Sequence, residues 1–233
     1  MLLWGDYTIL LVIPGIILTL WAQAKVKSAY SKFSKVQARS GMTGADVARA
    51  IMDCNGIRSV GIEPVRGEMT DHYDPREGVL RLSEGVYGSR SIAALGIAAH
   101  EAGHAVQHSV KYPALVLRSA VAPAAATGSQ LGIWLFMIGL FIPMFTGSSM
   151  TWLMDAGIIL FSVAVAFTLV TLPVEFNASK RALAVLADGG FLAEDEMPQA
   201  KKILDAAALT YVAAAATAVL TLVRLLILRN MRD

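Results

Sequence analysis

The sequence predicts a mainly α-helical, multi-pass membrane protein with a small β-sheet or hairpin in the part outside the bilayer. Three observations predict it. The chain is 55% hydrophobic and only 16% charged, and its mean hydropathy of +0.56 exceeds what an ordinary globular surface tolerates. Four apolar stretches each approach the roughly 20 residues that a helix needs to cross a hydrocarbon core with every backbone polar group bonded internally. Between the first two lies a charged segment with short, β-branched, loosely alternating runs.

The first stretch, residues 7–24, is uncharged and contains Pro14 and Gly15, which transmembrane helices accept more readily than soluble ones. Its basic residues, Lys25, Lys27, Lys32 and Lys35, follow the apolar run, and no small-residue cleavage site follows cleanly. It therefore reads as a retained anchor rather than a signal peptide. Residues 24–39 read as a helix with a basic face lying near headgroups, or as a solvated extension of the anchor. Thr43 and Asp46 have the spacing of a capping box, opening a short helix that Asn55 and Gly56 stop. Residues 57–65 and 79–82 read as short strands, with Asp74 to Gly78 as a turn. Helical periodicity takes over from 89 to 110. Gly96 and Gly103 each cost that helix up to about 1 kcal/mol relative to Ala, which points to close packing against a neighbour.

No charge occurs between Ser119 and Asp155, and residues 131–145 are the densest apolar part. A short polar turn at 146–151 and a third run at 156–174 make a hairpin. Residues 175–187 read as another helix, closed by Gly189 and Gly190. Residues 194–202 lead into the Ala-rich fourth run, 206–223, which continues past Arg224, a side chain able to snorkel. The expected organisation is an anchor (1–24), a catalytic portion (25–112), a hairpin (113–174), a helical segment (175–205) and a last transmembrane helix (206–233).

Alternation of four helices places Lys25 to Arg39, Lys111, Arg118, Lys180, Arg181, Lys201 and Lys202 on one side, which the positive-inside rule makes cytoplasmic. Arg229 and Arg232 fall on the other side, against the rule unless the fourth helix is re-entrant or the exception is tolerated. The single Cys54 suits a reducing compartment. A net charge of +2 without basic runs interleaved with aromatics excludes nucleic acid as a partner. The expected setting is a cell membrane with this side facing the cytoplasm.

The chemistry is in His100-Glu101-Ala102-Gly103-His104, inside the predicted 89–110 helix. Residues four apart lie one turn above each other, so both imidazoles can face one metal ion. Glu101 is one step further round the helix, near enough to take a proton from a metal-activated water and pass it to a leaving amine. With four His and eight Glu in the chain, composition alone yields this pattern roughly a few times per thousand. Zinc, one ion per chain, wants a third protein ligand and an open position. Glu175, at the expected start of a helix, competes with Asp188 in Ala187-Asp188-Gly189-Gly190. Asp188 is similar to the Asp of site-2 intramembrane proteases. In those enzymes, however, the His-bearing helix is within the membrane, whereas here it follows a long charged segment, and the Gly pair gives Asp188 an ordinary cap role. Glu175 is favoured.

The stretches Asp71-His72-Tyr73-Asp74-Pro75, His100 to His108 and Leu172 to Ala182 together resemble the YugP-type neutral zinc metallopeptidases of bacterial membranes. The resemblance covers nearly the whole chain. More distantly, the chain is similar to the HtpX-like membrane proteases, whose third ligand is a Glu opening a later helix, followed four residues on by an Asp. Here that later position is Ser179, with Asn177 between, so a supporting carboxylate does not carry over, although Glu175 itself matches. The resemblance implies a bacterial plasma membrane as the setting, a zincin-like, gluzincin-type catalytic portion facing the cytoplasm, and hydrolysis of peptide bonds. His108, one turn past His104, is either a polar helix residue or one that orients a ligand or touches substrate. His72 or Tyr73 could donate to the developing oxyanion, or could serve a turn between strands. The strands could also offer an edge to an extended peptide.

The expected function is thus that of a zinc endopeptidase, embedded in the lipid bilayer, which hydrolyses peptide bonds of peptides or membrane proteins at the cytoplasmic membrane surface. The alternative is a non-hydrolytic, zinc-stabilised membrane scaffold or chaperone-like protein. A purely structural site tends to fill all four positions and needs no base between its two His, so Glu101 argues against it. A transporter should present polar groups mid-membrane, and these runs offer few. Because Glu175 lies beyond the hairpin, zinc binding is expected to depend on the hairpin's correct insertion.

Overall fold

The computed structural model describes residues 7–147 and 149–232. Among them are four helices long and apolar enough to cross a membrane, and one three-stranded sheet. The protein is the expected mainly α membrane protein with a small sheet.

After a short 3-10 turn at Tyr7–Leu11, helix α1 (Ile13–Phe33) runs unbroken from apolar anchor into basic segment. It stops at Phe33 rather than near Arg39, because the backbone beyond it finds other partners. Ala38 N–H donates to the Arg90 carbonyl, Ile92 N–H to that of Val36, and Gln37 bridges to Ser91. Helix α2 (Gly44–Cys54) opens on the expected capping box, with Thr43 and Asp46 each accepting the other's backbone N–H.

Strands β1 (Gly61–Val65), β2 (His72–Asp74) and β3 (Val79–Ser83) form a sheet in the order β1-β3-β2. β1 and β3, the two expected strands, pair in parallel and so do not form a hairpin with each other. Their link contributes β2, antiparallel to β3, where the sequence suggested only a turn. A three-residue strand carries too little alternation to be read. A one-turn helix, α3 (Glu84–Tyr87), precedes α4 (Ile92–Ser109), which Ser91 caps by accepting the Ala94 N–H. The remaining helices are α5 (Pro113–Phe141), the one-turn α6 (Pro143–Thr146), α7 (Thr151–Asp188) and α8 (Met197–Asn230).

A further expectation is corrected. The third apolar run and the helix expected from Glu175 are a single helix, α7, with Pro173 inside it. Pro removes one N–H donor but need not end a helix whose flanking turns are packed. Val174, Glu175 and Ala178 on the next turn are all buried. Helix α7 closes at Gly190, whose φ of +66° suits glycine, with Phe191 N–H bonded to the Leu186 carbonyl and Gly190 N–H to that of Ala187.

The chain divides into two compact units. The first gathers the chain up to Trp21, Leu117–Leu172 and the chain from Thr210. In it α5 and α7 meet at backbone distance: a Cβ on Gly157 would lie 2.5 Å from the Gly132 carbonyl oxygen, the small-residue contact that membrane helices use. Phe136, Leu140, Met154, Phe161 and Val165 pack with Leu225 and Leu228. Arg229, which fell on the unexpected side, is ion-paired with Asp155 at 2.7 Å, and Arg232 donates to the Leu140 carbonyl at 2.8 Å.

The second unit comprises Ala22–Val116 and Pro173–Leu209. Its core joins Val47, Ile51 and Met52 of α2 and Leu80 and Leu82 of β3 to the Ala-rich face of α4, together with Ala182 and Leu186 of α7 and Ala200 and Leu204 of α8.

Candidate metal centre

The second unit holds every residue of the candidate site. The buried face of α4 is built from small side chains, among them Ala98, Ala99, Ala102 and Ala105, so a neighbouring helix can come close. Contact is close at Gly103, where an added Cβ would lie 3.0 Å from the Ala178 carbonyl oxygen and 3.5 Å from its Cα. His100 and His104 stand three before and one after Gly103; Glu175 and Ser179 stand likewise about Ala178. Helix periodicity puts each pair on one face, one turn apart, and the close approach brings the two faces together.

The Glu175 Oε2 atom lies 3.3 Å from His100 Nε2 and 3.6 Å from His104 Nε2. One ligand atom from each of the three side chains falls within 4.8 Å of the others. The imidazoles meet edge to face, with ring planes at 86°. Glu175 is only 2% exposed, and a carboxylate so placed needs opposite charge or strong hydrogen bonding to offset desolvation. Each ring has its other nitrogen engaged: His100 Nδ1 is 3.1 Å from Ser179 Oγ, and His104 Nδ1 is 3.0 Å from Gln107 Oε1.

Two imidazole nitrogens and a carboxylate oxygen are the donor set of a catalytic zinc that keeps a fourth position open. Bond lengths of about 2.1 Å in a tetrahedron separate neighbouring ligand atoms by about 3.4 Å. The separations from Glu175 bracket that figure, so the residues fit the ion. Burial, opposed by the neighbouring His100 and His104, pushes the Glu101 carboxyl above its usual range.

Asp188 is not part of this group. It is exposed at the end of α7, more than three turns past Glu175, or about 20 Å along the helix axis. His72 is exposed on β2, opposite Arg81 in the register, with Nδ1 bonded to the Thr70 carbonyl at 2.8 Å. Strand alternation puts it on the other face from Tyr73, which packs against the core. The Tyr73 hydroxyl reaches His108 Nδ1 at 2.9 Å, tying β2 to α4. Asn177 Oδ1 accepts from Gln107 Nε2 at 2.9 Å and from Arg181 Nε at 2.8 Å. The residue missed in the sequence is Gln107. Its position three after His104 was the available sign, since that spacing shares a helix face.

The family described as "Putative neutral zinc metallopeptidase" matches residues 8–230. The chain belongs to this family. It is also 50% identical, over 226 residues, to the "Putative membrane protease YugP" of Bacillus subtilis (strain 168), a match covering 97% of this chain and 98% of the relative. No solved structure gives a significant match. Membership implies zinc, and the His100, His104 and Glu175 group is where the donor chemistry accommodates it.

Proposed function

We propose that this protein is a zinc-dependent endopeptidase that hydrolyses peptide bonds at the cytoplasmic surface of the membrane. The observation that carries the reading is the convergence of His100, His104 and Glu175 within 4.8 Å, with Glu101 on the same helix turn as the first His.

In this reading His100, His104 and Glu175 are the ligands. Zinc held there supplies a Lewis acid that polarises a peptide carbonyl and acidifies a water molecule. Glu101 takes the proton of the attacking water and delivers it to the leaving amine. Ser179 holds the His100 ring through Nδ1. Tyr73, whose hydroxyl is held by His108, and His72, exposed on the other face of β2, are the two candidates to donate to the carbonyl oxygen as charge develops. The cytoplasmic orientation rests on the distribution of Lys and Arg among the loops. The substrates are peptides or membrane proteins.

The test is incubation of the purified chain with a proteome-derived peptide library, with and without chelator, beside Glu101→Gln. Wild type should cleave only without chelator. Glu101→Gln should keep its zinc and lose cleavage by about 10²–10⁴-fold. Cleavage that persists in Glu101→Gln, or in fully zinc-stripped protein, would refute the assignment.

A further inference from the structure

We infer that Gln107 is a positioning residue that sets the tautomer of His104 and ties it to the helix carrying Glu175. The inference rests on the zinc reading above and adds a residue to it.

Gln107 is completely buried. A buried primary amide costs free energy unless its donors and acceptor are matched, and Leu would fill similar space without that cost. Here the matches are complete and run in one direction. Arg181 can only donate, and its Nε is 2.8 Å from Asn177 Oδ1, so that atom is the amide oxygen and an acceptor. The Gln107 atom 2.9 Å from the same oxygen must therefore be its NH2 group, which also donates to the Val174 carbonyl at 2.8 Å. That leaves Gln107 Oε1 toward His104 Nδ1, at 3.0 Å. An amide oxygen only accepts, so His104 carries its proton on Nδ1. Nε2 is then the nitrogen left to serve a metal, and it lies 3.6 Å from Glu175 Oε2. A guanidinium on α7 thus dictates, through two amides, which nitrogen of a histidine on α4 is available as a ligand. The bond to the Val174 carbonyl, beside Glu175 in the chain, fixes the spacing of the two helices by the same side chain. Partners that orient metal-bound histidines are typically worth 10–100-fold in metal affinity.

The experiment uses the full-length protein in detergent and zinc itself as the probe, by competition with a chelator. Gln107→Leu should weaken zinc binding about 10–100-fold. Asn177→Asp, which keeps an acceptor for both Arg181 and Gln107, should stay within about threefold of wild type. Nitrogen-15 NMR of the histidine rings in the unmutated protein should place the His104 proton on Nδ1, a readout independent of whether Gln107→Leu folds. Zinc bound as tightly by Gln107→Leu, a loss in Asn177→Asp equal to that in Gln107→Leu, or an unprotonated His104 Nδ1 would each overturn the inference. His100→Ala and Glu175→Ala separate the two levels. If they leave zinc binding intact, the proposed function falls; if they abolish it while Gln107→Leu does not weaken it, only the role of Gln107 falls.

Discussion

Enlarging Gly103 tests whether the site depends on the close approach of α4 and α7. A Cβ at this position would lie 3.0 Å from the Ala178 carbonyl oxygen, whereas ordinary contact begins near 3.4 Å, so in Gly103→Ala the helices must part by a few tenths of an ångström. Two effects on stability oppose each other. Ala improves helix propensity by up to about 1 kcal/mol, while overpacking against a backbone costs about 1–3 kcal/mol. The net is a loss of about 0–2 kcal/mol. The effect on the metal is larger in proportion, because a ligand constellation tolerates displacements of only about 0.5 Å. Zinc affinity should fall about tenfold in Gly103→Ala and about a hundredfold in Gly103→Val, whose two further methyls press on the same backbone. Chelator competition measures the affinity, and thermal unfolding of the zinc-free protein by circular dichroism measures the stability. A folded Gly103→Val that binds zinc as tightly as wild type would refute the argument that this contact sets the ligand spacing.

Three further outcomes are expected. Glu175→Ala should lower zinc occupancy far more than Asp188→Ala, whose position about 20 Å along α7 leaves it outside the group; metal analysis showing the reverse ranking would move the site. Saturating zinc should raise the unfolding temperature, since an ion at a hundred times its dissociation constant stabilises by about 2.7 kcal/mol, and His100→Ala should lose that increment. Asp71 gives a pH test. Burial raises its carboxyl above the ordinary value against the lowering effect of the Ser83 N–H and hydroxyl, so its favourable contribution is complete below the unfolded value of about 3.9 and is lost as pH rises through the folded one. The stability of wild type relative to Asp71→Asn, which keeps the acceptor for the Ser83 N–H, should therefore fall as pH rises above about 4; a difference that grows with pH contradicts this.

Local physics made much of this protein legible before folding. Apolar runs long enough to span a bilayer show in a window of residues, the Thr43–Asp46 capping box is written in four positions, and the i, i+4 spacing of His100 and His104 is a property of one helix. Gly103 announced a close neighbour because its cost in a helix needs a reason. Contacts between distant segments were not legible. The parallel pairing of β1 with β3 depends on a strand, β2, too short to show a period. The continuity of α7 through Pro173 depends on the packing of Val174, Glu175 and Ala178, which moved Glu175 from an expected helix start to a helix interior. That Tyr73 rather than His72 packs inward depends on which face of β2 meets the core. Gln107 was unremarkable in one dimension, since its partners Val174 and Asn177 lie far along the chain and are brought beside it only when α4 and α7 meet. The sequence alone therefore determined the membrane architecture and two imidazoles with a carboxylate between them. The tertiary structure decided the third partner and which ring nitrogens point inward, because both depend on two helices meeting at a glycine.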